Sequence, residues 1–201
     1  MERKEKVCGA HRYATKGELM SAALRKMLQS DEKRKQLTKA LLENDLFTKR
    51  DPEEVFELVH ETFDYIRTQT SLKINGLGKA EFIQRVISTN AAIQNRSARL
   101  SAAGVDVDRM IGHLTRSLVA MDAYLLFTYK QTFKSAGYAD TSAREFISSS
   151  VCLKFRERLS VLQECKRAID SAIKRCSDMH FSLRDSREAY SMYLTQGDRV
   201  L

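Results

Sequence analysis

The chain has 201 residues, of which 43% are apolar and 30% charged, and it carries a net charge of +8. That balance excludes intrinsic disorder and suits one globular domain or a bundle with a loose end. No stretch approaches the roughly 18 uninterrupted apolar residues of a membrane span, because Asp122 splits the longest apolar runs, 118–121 and 123–127.

Pro52 is the only proline in the chain. Proline removes a helix donor and clashes with the preceding turn, so its scarcity predicts long uninterrupted helices. Residues 1–14 show no periodicity and read as a basic, disordered tail. Thr15 and Glu18 form a capping-box pattern that opens a first helix, whose stripe is Leu19, Met20, Ala23, Leu24, Met27 and Leu28. Asp31 starts a second helix with Leu37, Ala40 and Leu41 on its apolar face. Asp51 caps a third, with Pro52 at its first position and Glu53 and Glu54 in its first turn. Val55, Phe56, Val59, Phe63 and Ile66 line one side of it, and it fades at 68–70 into a loop containing Asn75-Gly76-Leu77-Gly78.

A fourth helix is expected over about 79–103, stopped by Gly104, with Phe82, Ile83, Val86, Ile87, Ile93 and Leu100 as its stripe. A fifth, over about 106–136, is capped by Asp106 or Asp108 and ends at Gly137; Ile111, Leu114, Leu118, Met121 and Leu125 step three and four residues apart. A sixth covers about 142–178, with a bend expected at Ser148-Ser149-Ser150, and a short helix near 186–194 closes the chain. The expected fold is an all-α helical bundle of about six to seven helices, with the three long ones as its core. The first two helices, 15–48, form a cap or subdomain on a main bundle at 51–201.

The charge is unevenly spread. Residues 1–50 hold 13 basic against 7 acidic side chains, residues 151–201 hold 10 against 7, and the middle of the chain is nearly balanced. A basic end attracts nucleic acid or an acidic partner, or serves only as a solvated face. The start of the chain is charged, with no apolar run behind it, so the sequence predicts a cytoplasmic or nuclear protein that is not secreted. The four cysteines, Cys8, Cys152, Cys165 and Cys176, are then expected as reduced thiols.

The strongest local pattern is Ile74-Asn75-Gly76-Leu77-Gly78-Lys79 between two helical stretches. It resembles a helix-hairpin-helix motif, with Ile74, Gly76, Leu77 and Gly78 at matching positions and Leu72 and Ala80 displaced from theirs. The resemblance covers about a dozen residues. It implies a hairpin that grips a nucleic-acid backbone, with Lys79 on phosphate; the alternative is a glycine-rich turn. His60-Glu61 resembles the His-acid pair of phosphoaccepting helices, though Asp64 stands where an amide or hydroxyl is expected. The alternative is a surface histidine in the acidic patch of Glu53, Glu54, Glu57, Glu61 and Asp64. A lone His113 beside an apolar stripe is a weak haem signal, and Cys8/His11 with Cys176/His180 would make a zinc set only if the chain ends met. Tyr124, Phe127, Tyr129, Phe133 and Tyr138, interleaved with Lys130 and Lys134, suit base stacking, a core or a partner surface.

No nucleophile elbow, phosphate-binding loop or dinucleotide fingerprint is present in the sequence. The chain is therefore expected to be a non-enzymatic interaction or adaptor protein, without metal or cofactor. It would act through helix–helix contacts with a protein partner or with itself, docking through Met20, Leu24, Met27 and Leu28. The alternative is a nucleic-acid-binding protein using Lys33, Arg34 and Lys35 with the hairpin at Gly76, Gly78 and Lys79.

Overall fold

The computed structural model describes residues 16–43, 50–70 and 78–197. Among these the fold is all-α, with seven helices: α1 (Lys16–Ser30), α2 (Glu32–Leu42), α3 (Pro52–Thr70), α4 (Lys79–Thr128), α5 (Lys130–Ser135), α6 (Asp140–Ser150) and α7 (Leu153–Gly197). The tail, Thr15 and the hairpin residues Ile74, Gly76 and Leu77 lie outside the described residues, as do Cys8 and His11.

The helix starts are set by the side chains expected to cap them. The Asp31 carboxylate accepts from the Arg34 backbone N–H at 2.7 Å, and Asp51 from that of Glu53 at 3.0 Å. Each satisfies a donor that the first turn leaves free. Pro52 sits at the first helical position, where its missing N–H costs nothing.

The chain divides into two compact units, one made of residues up to Lys39 with Val119–Lys154, the other of Ala40–Leu118 with Phe155–Leu201. In the first, Leu24, Leu28, Met121, Leu125, Phe133 and Ile147 are buried. Gln29 donates to the Ser150 carbonyl at 3.4 Å and the Arg25 guanidinium lies 5.9 Å over the Phe146 ring, which sets α1 against α6.

In the second unit α4 and α7 pack along their length. Phe82 meets Tyr190 with ring centroids 4.5 Å apart, Asn90 meets His180 at 2.6 Å, and Asp108 meets Lys166 at 2.9 Å. Partners advance along one helix as they retreat along the other, so the pair is antiparallel and in register. Leu162, Cys165, Ile169, Ala172, Cys176, Met179 and Leu183 of α7 are buried in steps of three and four. That is the spacing of a helix packed lengthwise.

Two expected helices are one. No helix stops at Gly104: α4 runs unbroken for 50 residues through Gly104, Asp106 and Asp108. The reason is the phase of its apolar face. Leu100, Ala103, Val107, Met110 and Leu114 are all buried, so the stripe crosses Gly104 without a slip. Gly104 is itself buried, and a Cβ there would lie 3.4 Å from the Ile169 side chain, in van der Waals range. Asp106 and Asp108 serve as partners: Asp106 pairs with Arg50 at 3.0 Å, and Asp108 with Lys166. The short closing helix is likewise the end of α7.

Two further breaks fall where expected, after the serine run and at Gly137, whereas the one at Tyr129 interrupts a stretch expected to be continuous to 136. Val151 and Cys152 interrupt the chain after the serine run, and the Ser149 hydroxyl donates back to the Phe146 carbonyl at 3.2 Å. Gly137 takes a left-handed φ of +82°. Its N–H reaches the Lys134 carbonyl and that of Tyr138 reaches Phe133, which makes a Schellman turn. The Phe133–Tyr138 edge contact at 5.9 Å is the apolar pair that accompanies such a turn.

Candidate functional site

The α4–α7 pair encloses a cleft of about 240 Å³ in the second unit. Val86 and Leu183 belong to the two buried stripes and form its floor, while Ile87, one position further round α4, is 52% exposed. The stacked Phe82 and Tyr190 lie towards one end and the Asn90–His180 pair at the other. His180 Nδ1 lies 2.6 Å from Asn90 Oδ1, in hydrogen-bond range. The lining runs along α7 from His180 to Arg187, which gives the cleft about 10 Å of length.

Its charge is one-sided. Arg184 and Arg187 line it, and no carboxylate does. Arg184 is held loosely, at 3.7 Å from Asp185 and 3.8 Å from Glu188, with its guanidinium 5.5 Å over the exposed Phe181 ring. Arg187 has no ion pair among the described residues. Two arginines beside a floor of Val86 and Leu183 and an exposed Ile87 suit a partner that is both acidic and apolar.

The outer face of α3, in the same unit, has the opposite character. Glu53, Glu54, Glu57 and Glu61 are exposed, and none has an ion-pair partner among the described residues. Phe56, 39% exposed, borders this face one turn on from Glu53, with its neighbours Val55 and Val59 buried. His60 belongs to this surface: its Nε2 is 3.3 Å from Asp64, which also pairs with Arg67 at 3.1 Å. The acidic patch read from the sequence is thus a physical face of one helix.

The structure does not leave the expected docking face of α1 open. Leu24 and Leu28 are 4% and 0% exposed, because the spacing that makes the stripe also turns it into the core of the first unit. Met27 is half-buried, and the side chain of Met20 lies outside the described residues. Nor is the basic triplet of α2 free. Lys33 Nζ lies 4.7 Å over the Tyr124 ring, Arg34 donates to the Gln29 carbonyl at 2.9 Å, and Lys35 pairs with Glu32 at 3.2 Å. Gly78 is exposed with open space around it and accepts from the Phe82 N–H at 2.9 Å. It is the first residue before α4, and the side chain of the adjacent Lys79 lies outside the described residues.

The aromatic set divides. Phe133, Tyr138 and Phe146 pack together, with Tyr138 and Phe146 centroids 5.3 Å apart, whereas Phe127 is 84% exposed. Tyr129 and Tyr124 donate to the same Asp31 oxygen at 2.6 and 3.2 Å. The hydrogen bond to Asp31, reinforced by burial, pushes the Tyr129 hydroxyl up to about 12. Burial pushes Asp31 the other way from its hydrogen bonds, and the bonds win, holding its carboxyl below the ordinary value. This cluster is structural: it ties the α1–α2 corner to the end of α4.

Cys176 is a core residue, 1% exposed, whose thiol is pushed up by burial, and His180 lies four residues on at the cleft. His113 is half-buried, and its Nε2 has no partner among the described residues. The cleft itself was not legible as a site, although Ile87, Arg184 and Arg187 are all plain in the sequence. Only the register between α4 and α7 brings them together. Comparison with known protein families, curated proteins and solved structures finds no match to this chain.

Proposed function

We propose that this protein is a non-enzymatic interaction protein that receives an acidic, apolar helical segment in the α4–α7 cleft. The observation that carries the reading is the cleft's lining: Ile87 and Leu183 below, Arg184 and Arg187 beside them, and no acid. An amphipathic helix laid in such a groove buries its apolar side chains and meets the arginines with its carboxylates. Charge complementarity of this kind sets partner choice and association rate.

The test is fluorescence anisotropy with a labelled designed helix built of glutamate and leucine, against the wild type and the Arg184→Glu/Arg187→Glu variant. Saturable binding that the variant weakens at least tenfold, about 1.4 kcal/mol, is expected. Equal binding by both proteins, or by neither, overturns the reading. A labelled oligonucleotide run in parallel separates this from nucleic-acid binding, whose affinity falls steeply between roughly 50 and 200 mM salt.

A further inference from the structure

We infer that the segment received by the cleft is the outer face of α3 of a second copy of this chain. The inference rests on the reading just given and names its partner. Three observations carry it.

The first is charge. The cleft offers Arg184 and Arg187 with no lining carboxylate, and α3 offers Glu53, Glu54, Glu57 and Glu61 with no ion-pair partner among the described residues. Arg184 is paired only loosely, with Asp185 and Glu188, and Arg187 has no ion pair among the described residues, so the cleft presents cations to a face of carboxylates.

The second is shape. Phe56 stands out from α3 at 39% exposure, one turn on from Glu53 at the edge of the acidic face. An apolar cavity of about 150 Å³ admits a benzene ring, and the cleft, at about 240 Å³, has room for the Phe56 ring over Ile87 and Leu183.

The third is length. From Glu53 to Glu61 α3 rises about 12 Å, close to the roughly 10 Å that the cleft lining spans from His180 to Arg187. The two surfaces are different patches of one unit, so copies either exchange the contact reciprocally across a two-fold axis or add head to tail. Within one chain the α3 face is exposed, which leaves it available to a second copy.

The experiment is sedimentation velocity on the full chain across roughly 1–100 μM, at about 50 and 300 mM salt. Four proteins are compared. They are the wild type, Phe56→Ala, a cleft variant (Arg184→Glu/Arg187→Glu) and an α3 variant (Glu53→Lys/Glu57→Lys/Glu61→Lys). Far-ultraviolet circular dichroism confirms that all four retain their helix content; every substituted residue is exposed.

The wild type is expected to gain mass with concentration and lose it with salt. Phe56→Ala weakens self-association at least tenfold, and each charge variant alone stays monomeric. An equimolar mixture of the two charge variants regains association, because each acidic surface again faces a basic one. A wild type that stays monomeric, a mixture that stays monomeric, or association insensitive to all three variants overturns the inference. If the designed acidic helix binds while the wild type stays monomeric, the partner is another protein, and only the self-docking falls. If the cleft variant loses oligonucleotide binding and the wild type is monomeric, the arginines face nucleic acid and both readings fall.

Discussion

Asp31 does two tasks with two oxygens. One caps α2 through the Arg34 N–H, and the other accepts from Tyr129 and Tyr124. Tyr129→Phe removes the shorter of the tyrosine bonds and is expected to cost about 1 kcal/mol in urea unfolding, at the modest end because the cluster is only half-buried. The pH dependence has a definite sign. A tyrosine raised from 10 to about 12 stabilises the fold fully below pH 10, and that contribution is lost as pH rises through about 12. Asp31, held below its ordinary value, contributes above pH 3.8 and loses that contribution as pH falls through its lower folded value. Tyr129→Phe should therefore flatten the alkaline limb between about pH 10 and 12, and an unchanged limb would remove Tyr129 as its cause. The buried thiols Cys165 and Cys176 are both pushed up, mainly by burial. They are expected to react slowly with an aromatic disulfide in the native protein and promptly in urea.

Two glycines test what ends a helix. Gly104 and Gly137 both invite the same reading from sequence, a stop, and only Gly137 is one. It has the left-handed backbone, the paired hydrogen bonds and an aromatic residue after it that packs back on Phe133. Gly104 sits within α4, where the buried stripe continues in phase on both sides. The same substitution then has opposite signs. Gly137→Ala places a Cβ in the left-handed region and should lose about 1–2 kcal/mol. Gly104→Ala relieves a helix-interior glycine and should gain about 0.5–1 kcal/mol, the Ile169 methyl at 3.4 Å being in ordinary contact. Thermal unfolding of the pair decides it: a loss at Gly104 of the size seen at Gly137 would restore the stop. Ile169→Ala, at a fully buried position facing Gly104, should cost about 2–5 kcal/mol through the cavity it leaves.

For the whole chain the net charge of +8 conceals an internal division. Acidic side chains collect on the outer face of α3, and two arginines line the α4–α7 cleft without an acid among them. A protein that carries both poles is expected to associate with itself in a salt-dependent way, because screening over about 8–10 Å at physiological salt weakens exposed charges first. Among the described residues no helix is long and apolar enough to cross a membrane. A shift in sedimentation coefficient between low and moderate salt is the first sign to seek. The mixture of charge variants assigns it to these two faces rather than to net charge.

Sequence alone carried the all-α class, the capped starts at Asp31 and Asp51, the break after the serine run and the turn at Gly137. The caps, the break and the turn are each decided within a few residues, by a side chain bonding a local backbone group or by a backbone angle that only glycine adopts readily. The unbroken passage of α4 through Gly104 was half-visible, since Leu100, Val107, Leu114 and Met121 keep a seven-residue step across it. Local stop chemistry spoke against it, and burial against α7 overrode that chemistry. The direction of the α1 stripe and the cleft belonged to tertiary structure. Periodicity says that Leu24 and Leu28 share a face but not whether that face meets solvent. Nothing within α4 or α7 sets Ile87 beside Arg184 and Arg187, because that juxtaposition depends on how two helices, distant in sequence, slide into register.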